Sequence, residues 1–387
     1  MKKKITLFIV YLLDYYYSFK SNNEILLIVN SDNHSDQIIF ELKERFRFYF
    51  NSNLPNLKII YSNNFKFNFL IPKNKIKLYY GFKFNKLKES KLKNFLFYNI
   101  DFNLNAEDGW NWHLALTEFS YSKKHKDQIL QEKNLLFKKV VKKLPNKDKA
   151  YVLGTGPSLE NAINLNWNDG YKIVCNTIVK DLELWNYLKP DFILAGDAIY
   201  HFGNNDFAIA FIEDLKLRLR ETYTFFVYPF IYHSYLSFEL KEFEDRLIPI
   251  PISYKDLSSI SLLDDFSLPA NTGNVLNLLL LPLATTLSKN VYLYGFNGRA
   301  PGDKLFWSYS DKHSYVDKID KIIEKHPKFF EQNVPKNNES NYVKKVHGDK
   351  LDQILTNLES LGWCFIMMHE TWTETLAKRF KKNRFNL

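Results

Sequence analysis

Short apolar runs, each broken by glycine, proline, asparagine or aspartate, recur along this chain and alternate with stretches of helical spacing. Residues 24–31 read as a strand. Residues 35–50 carry Ile38, Ile39, Leu42, Phe46 and Tyr49 along one side at helical intervals. Residues 57–61 and 76–82 read as further strands, so the pattern predicts a small α/β domain at the N-terminus. Residues 123–149 are highly charged yet keep a helical apolar stripe at Ile129, Leu135, Leu136 and Val140. That predicts a connecting helix, with domains over 1–145 and 146–387.

The second part alternates regularly. Strands are expected to end at Leu153 and to cover 171–174, 192–195, 224–228, 290–294 and 363–368. Helices are expected after Leu153, near 180–188, over the apolar run 275–287 and over the amphipathic run 347–361. Strands alternating with helices predict an α/β fold with a mostly parallel, Rossmann-like sheet covered on both faces. Ligands of such sheets sit beyond the carboxyl ends of the strands.

One strand end stands out. In Tyr151-Val-Leu-Gly-Thr-Gly-Pro-Ser-Leu-Glu160 a buried strand meets Gly154, Thr155, Gly156, Pro157 and Ser158. The two glycines allow a sharp turn and close backbone approach. Pro157 suits a first helical turn, and the amides of such a turn favour an anion such as a nucleotide phosphate. The dinucleotide fingerprint is not met, because Leu159 stands at its last glycine. Nor does a Gly-Lys-Ser/Thr follow, so this is no Walker A loop.

Bulk properties narrow the classes. With 387 residues, 45% hydrophobic and 17% aromatic, the chain can bury a sizeable core. The net charge of +10 points to an anionic partner: nucleic acid, a nucleotide-sugar or an anionic membrane surface. No zinc-finger spacing, RNA-recognition signature or long basic run with interleaved aromatics is present, which argues against nucleic acid. Cys175 and Cys364 are too few for a disulfide framework or a Cys-based metal site, so a reducing cytoplasm is expected. The apolar run at 5–13 after three lysines imitates a signal peptide. It is followed by Asp14 and tyrosines with no small-residue cleavage site, and it is too short to span a bilayer. A buried strand or helix is expected there. The basic end, 378–387, is a candidate contact for an anionic inner leaflet.

The order of these segments, over about residues 148–375, resembles the bacterial sialyltransferases of glycosyltransferase family 42. It is also similar to a broader group with a Gly-x-Gly-Pro-Ser-Leu start, which includes motility-associated glycosylation proteins and an archaeal pterin pyrophosphokinase. Four places carry the likeness: residues 154–159; Cys175-Asn176-Thr177; Thr272-Gly273 with the strand ending in Gly295-Phe-Asn297; and His347 before its helix. There are departures. Asn297 replaces the family's acidic residue, Asn271-Thr272-Gly273 replaces Thr-Ser-Gly, and the N-terminal 145 residues have no counterpart in the simple sialyltransferases.

The resemblance implies a GT-A-variant glycosyltransferase that is inverting and uses a CMP-sugar donor, with no required cofactor or metal. His347 would be the base, a role suited to imidazole at neutral pH; His313 and His201 are its rivals. Tyr309 and Tyr315, in a segment like the family's Tyr-bearing lid, would stabilise the leaving phosphate, and Arg299 is a further candidate. Asn176, Ser158, Thr272, Gly273, Gly295 and Asn297 would hold the nucleotide. Asp197, in Gly-Asp-Ala after a strand, is a nucleotide-site candidate and would hold Mg²⁺ under a pyrophosphokinase reading. The expected partners are the CMP-sugar, a glycan acceptor of capsule or lipooligosaccharide type and, through 378–387, an anionic membrane; homo-oligomers are left open. A nucleotide-binding assembly module without turnover is the non-enzyme alternative.

Overall fold

The structure, a computed structural model, describes residues 24–30, 35–49, 56–62, 77–80, 97–100, 109–253, 261–270, 274–300, 303, 310–327, 329–330 and 348–380. Contacts divide the chain into two units, residues 1–101 and 102–387.

The first unit contains β1 (Glu24–Asn30), α1 (Asp36–Tyr49), β2 (Asn56–Ser62), β3 (Lys77–Tyr80) and β4 (Phe97–Ile100). Its sheet runs β2-β1-β3-β4 with every pairing parallel. On the apolar stripe of α1, Ile39, Leu42 and Tyr49 are buried, Leu42 and Tyr49 fully like Val29 of β1, and Phe46 is half-buried. Strand β4 is too short for alternation to show in the sequence. The apolar run at 5–13 lies outside the described residues.

The second unit opens with α2 (Trp110–Ser120) and α3 (Lys123–Lys143). There follow β5 (Lys149–Leu153), β6 (Gly170–Cys175), α4 (Leu182–Leu188), β7 (Phe192–Leu194), α5 (Ala198–His201) and α6 (Asp206–Glu221). Next come β8 (Phe225–Pro229), α7 (His233–Glu239), β9 (Leu247–Ile250) and the short pair β10 (Ile252–Ser253) and β11 (Leu268–Pro269). A π-turn over Leu276–Leu280 leads into α8 (Leu281–Leu287), then β12 (Asn290–Tyr294), α9 (Val316–Lys325), α10 (Lys350–Ser360), β13 (Cys364–Met367) and α11 (Glu374–Ala377).

Seven strands form one sheet in the order β13-β12-β5-β6-β7-β8-β9, every pair parallel. This is the arrangement of a Rossmann-like α/β fold. Strands β7 and β8 are buried throughout, as their near-continuous apolar runs require. The order reverses at β5. Strands β6 to β9 extend to one side of it, and β12 and β13 to the other. Such a reversal leaves a crevice at the carboxyl ends of the strands.

The domain boundary differs from expectation: it falls between residues 101 and 102 rather than near 145. Helix α3 is a core element of the second unit. Phe137 and Val140 enter the main core, and Lys133 is buried against the Glu244 carboxylate and carbonyl. Only one stripe of α3 is buried, so its other faces carry charge, which imitates a linker. No helix among the described residues is long and apolar enough to cross a membrane.

Candidate functional site

Leu153 at the end of β5 pairs with Tyr294 at the end of β12, so the loops after these strands leave the sheet side by side. They meet more closely than side chains permit. Gly295 has φ +78°, and a Cβ there would lie 2.1 Å from the Gly154 carbonyl oxygen. A Cβ on Gly154 would lie 2.8 Å from the Gly295 carbonyl oxygen, and one on Gly156 only 2.4 Å from Asn297 Oδ1. The glycines are thus demanded by two loops crossing each other. Gly154 N–H donates to the Tyr294 carbonyl at 2.7 Å, and Gly156 N–H to the Gly295 carbonyl at 2.8 Å.

The expected helix after β5 is a 3-10 helix over Pro157–Asn164, with Pro157 in its first turn and Thr155 and Pro157 half-buried. Its first donors are already engaged. Asn297 Oδ1 accepts from Ser158 N–H at 3.1 Å and lies 2.8 Å from Ser158 Oγ. Leu159 N–H turns back to the Gly156 carbonyl at 3.0 Å. Of the amides read from sequence as an anion cradle, those of Gly154, Gly156 and Leu159 are therefore satisfied by main-chain carbonyls, and that of Ser158 by the carboxamide oxygen of Asn297.

A residue that sequence reasoning missed completes the cluster. His369 follows β13 by two residues, and its Nε2 lies 3.0 Å from Gly295 N and 2.9 Å from Ser158 Oγ. Its Nδ1 is 2.6 Å from the Glu370 carbonyl, which can only accept, so Nδ1 carries the proton and Nε2 accepts. Burial lowers the pKa of the ring and the Glu370 contact opposes this more weakly, so the imidazole is neutral at pH 7. The edge of the ring packs on Tyr294 at 5.0 Å. The single hydroxyl proton of Ser158 thus faces two acceptors, Asn297 Oδ1 and His369 Nε2. The signal that could have found His369 was its position, a polar residue at the carboxyl end of the last parallel strand.

On the other side of β5, Asn176 follows β6 directly in a left-handed conformation, φ +51°. Its Oδ1 is buried and lacks a hydrogen-bond partner. Next to it, the Thr177 hydroxyl donates to the His313 carbonyl, and Lys180 Nζ donates to the carbonyls of Asp311 and Ser314. Ser310 reaches Glu160, and His313 Nε2 sits 3.1 Å from Asp181 Oδ2. Residues 310–315 therefore form a pinned strap over this turn.

The structure separates the remaining candidates. Tyr315, at the end of the strap, is turned into the fold: it is buried, with its hydroxyl on Asp214 of α6, and that burial with the nearby carboxylate raises its pKa. His313 is a fully buried part of the strap with its pKa lowered, and His201 is buried against Phe211 with its pKa lowered to about 3. Burial is the main cause for both. Arg299 donates to the Asp303 carbonyl within its own loop. Asp197 stands at the N-cap position of the short helix α5 without a side-chain bond to its amides, and burial of Cys175, with the Asp197 charge as a second cause, raises the thiol pKa. Among the described residues no group of three or more His, Cys, Asp or Glu is arranged to hold a metal ion. His347, Tyr309, Thr272 and Gly273 lie outside the described residues. Arg379 of the basic end is turned inward, onto Glu359 and Asp352.

Comparison with known proteins returned no match to a family model, a curated protein or a solved structure.

Proposed function

We propose that the chain is an inverting glycosyltransferase of GT-A-variant architecture. It would move sialic acid or a related ulosonic acid such as Kdo from a CMP-sugar to a hydroxyl of a capsule or lipooligosaccharide glycan. The supporting observation is the meeting of the 154–158 and 295–297 loops where the strand order reverses, with the Ser158 hydroxyl in hydrogen-bond contact with both Asn297 and His369. In parallel α/β sheets that crevice is where nucleotides lie.

In this reading a donor phosphate oxygen takes the place of Asn297 Oδ1 on Ser158, since both are acceptors of similar reach. The freed carboxamide then turns to the ligand. Asn176 faces the nucleoside from the β6 side. His369, already engaged by Gly295 and Ser158, orients the serine and takes no proton from the acceptor. The base remains His347, which removes the acceptor proton as the bond to the anomeric carbon forms and the CMP phosphate departs. The enzyme would work on the cytoplasmic face of the membrane, where such glycans are assembled.

The test is a thermal-shift panel of CMP, CDP, UDP, GDP, ATP and S-adenosylmethionine, each with and without Mg²⁺. CMP at about a hundred times its Kd should stabilise the fold by about 2.7 kcal/mol without metal. Stabilisation by ATP only with Mg²⁺, lost in Asp197→Asn, would instead favour pyrophosphoryl transfer. His347→Ala should keep the CMP shift and lose transfer; retained turnover removes the proposed base.

A further inference from the structure

Trp372 is 63% exposed, an uncommon setting for an indole. Isolated exposed apolar residues are ordinary on protein surfaces. This one is set apart by how its backbone is held and by what holds it. Trp372 N–H donates to the Asn297 carbonyl at 2.8 Å, and the Thr371 hydroxyl donates to the Phe296 carbonyl at 2.6 Å. Thr373 N–H closes back on Thr371 Oγ1 at 3.1 Å. Gly298, at φ +72°, sits so close that a Cβ would meet Thr373 Oγ1 at 2.6 Å and Thr373 N at 2.8 Å. Directly after Thr373, α11 buries Leu376, and the Thr375 hydroxyl donates to Asp352 at 2.6 Å. The main chain under the indole is therefore fixed while the ring stands in solvent.

The residue that anchors Trp372 is also part of the candidate site. Asn297 takes the Trp372 N–H with its carbonyl and contacts Ser158 with its side chain, so two hydrogen bonds separate Trp372 from Ser158. Position along the sheet then discriminates between ligands. Asn176 follows β6, on one side of β5, whereas Trp372 follows β13 and contacts the β12 loop, on the other side. A nucleotide with its phosphates at Ser158 and its nucleoside towards Asn176 leaves the Trp372 side to the incoming acceptor. A rigid indole presents a flat face with an electron-rich π-cloud, at low entropic cost on binding. The C–H face of a pyranose ring complements that face.

We propose that Trp372 is the stacking platform for the acceptor sugar and a determinant of acceptor specificity; this rests on the glycosyltransferase reading above. The platform stacks one face of the acceptor ring and so orients its hydroxyl towards the donor at Ser158. It does not touch the nucleoside.

The experiment uses the full chain, fluorescently labelled, saturated with CMP and applied to an array of immobilised glycans that includes β-galactosides and heptose- and Kdo-containing oligosaccharides. Wild type, Trp372→Ala and Trp372→Phe are compared, with the CMP thermal shift measured on each. The expected result is selective glycan binding by the wild type, weakened at least about tenfold in Trp372→Ala and partly kept in Trp372→Phe, with the CMP shift unchanged. Equal glycan binding by Trp372→Ala overturns the proposal, as does a wild type that binds no glycan on the array. Loss of the CMP shift in Trp372→Ala with glycan binding intact also overturns it and gives the indole to the nucleoside. Absence of a CMP shift in the wild type defeats the CMP-sugar reading instead; selective glycan binding lost on Trp372→Ala would still uphold the platform.

Discussion

His369 accepts the main-chain N–H of Gly295 at 3.0 Å, so the residue that follows the last strand holds the end of the strand beside it. The same nitrogen faces the Ser158 hydroxyl, and one imidazole thereby ties together the ends of β13, β12 and β5.

Replacing His369 with Ala should leave the Gly295 amide unpaired in a buried position. An unmet buried donor costs about 1–3 kcal/mol. Urea unfolding should show a lowered midpoint of that size. CMP affinity should fall as well, because Ser158 loses its orientation. An unchanged midpoint would mean that water or a shifted loop replaces the ring.

The crossing of the two loops can be tested at the glycines. Gly295→Ala places a methyl about where the Gly154 carbonyl oxygen sits and should cost more than about 3 kcal/mol. Gly362 is the control. It also has a left-handed φ, +95°, but nothing lies within 4 Å of an added Cβ. Gly362→Ala should therefore cost only the backbone strain, roughly 1 kcal/mol. Equal losses at the two sites would contradict the crossing.

Tyr315→Phe separates a structural role from a catalytic one. The hydroxyl donates to the half-enclosed Asp214 carboxylate, so its removal should destabilise the fold by about 1–3 kcal/mol. The kcat of transfer should stay close to wild type, since the hydroxyl is engaged by Asp214 of α6. A fall in kcat of a hundredfold without loss of stability would restore Tyr315 to the site.

Stability should decline in mild acid. Burial lowers the pKa of His113 to about 4 and of His201 and His233 to about 3. In the unfolded chain these rings titrate near the ordinary histidine value of about 6.5. Between those values the unfolded state holds more protons than the native state, so the unfolding free energy rises with pH. Their contribution is complete above about pH 6.5 and is lost progressively as the pH falls towards 4. Chemical denaturation from pH 7 to 4.5 should show this decline; a flat profile would mean that the three rings are protonated in the native state.

Much of the second unit was legible in the sequence. The strands β5, β6, β7 and β12 announced themselves as short apolar runs ended by Gly, Asn or Asp, and β8 and β13 as short apolar runs alone. The parallel sheet followed from the alternation with helices. Helix α6 was not read, since Ile209 and Leu217 on its exposed side blur the apolar stripe and Arg218 stands within the buried face. Helix α3 was found but placed in a linker, because charge outweighs Phe137 and Val140 in the sequence while packing outweighs charge in the fold. At the site, Gly154, Gly156, Ser158 and Asn297 were found by motif. His369 was not, because its partners lie 74 and 211 positions away in sequence and its one local cue, a polar residue just past the last strand, names no chemistry.

The strand order also sets when this site can exist. As the polypeptide leaves the ribosome, β5 gains β6 to β9 on one flank, but its other flank stays bare until β12 emerges. An uncovered edge bearing Ala150 and Val152 is an invitation to mispair with another nascent chain. Translation must run past residue 369 before the imidazole can fasten the strand ends. A chain stopped short of that point would display a nearly complete sheet with an open seam, a ready client for a holding chaperone.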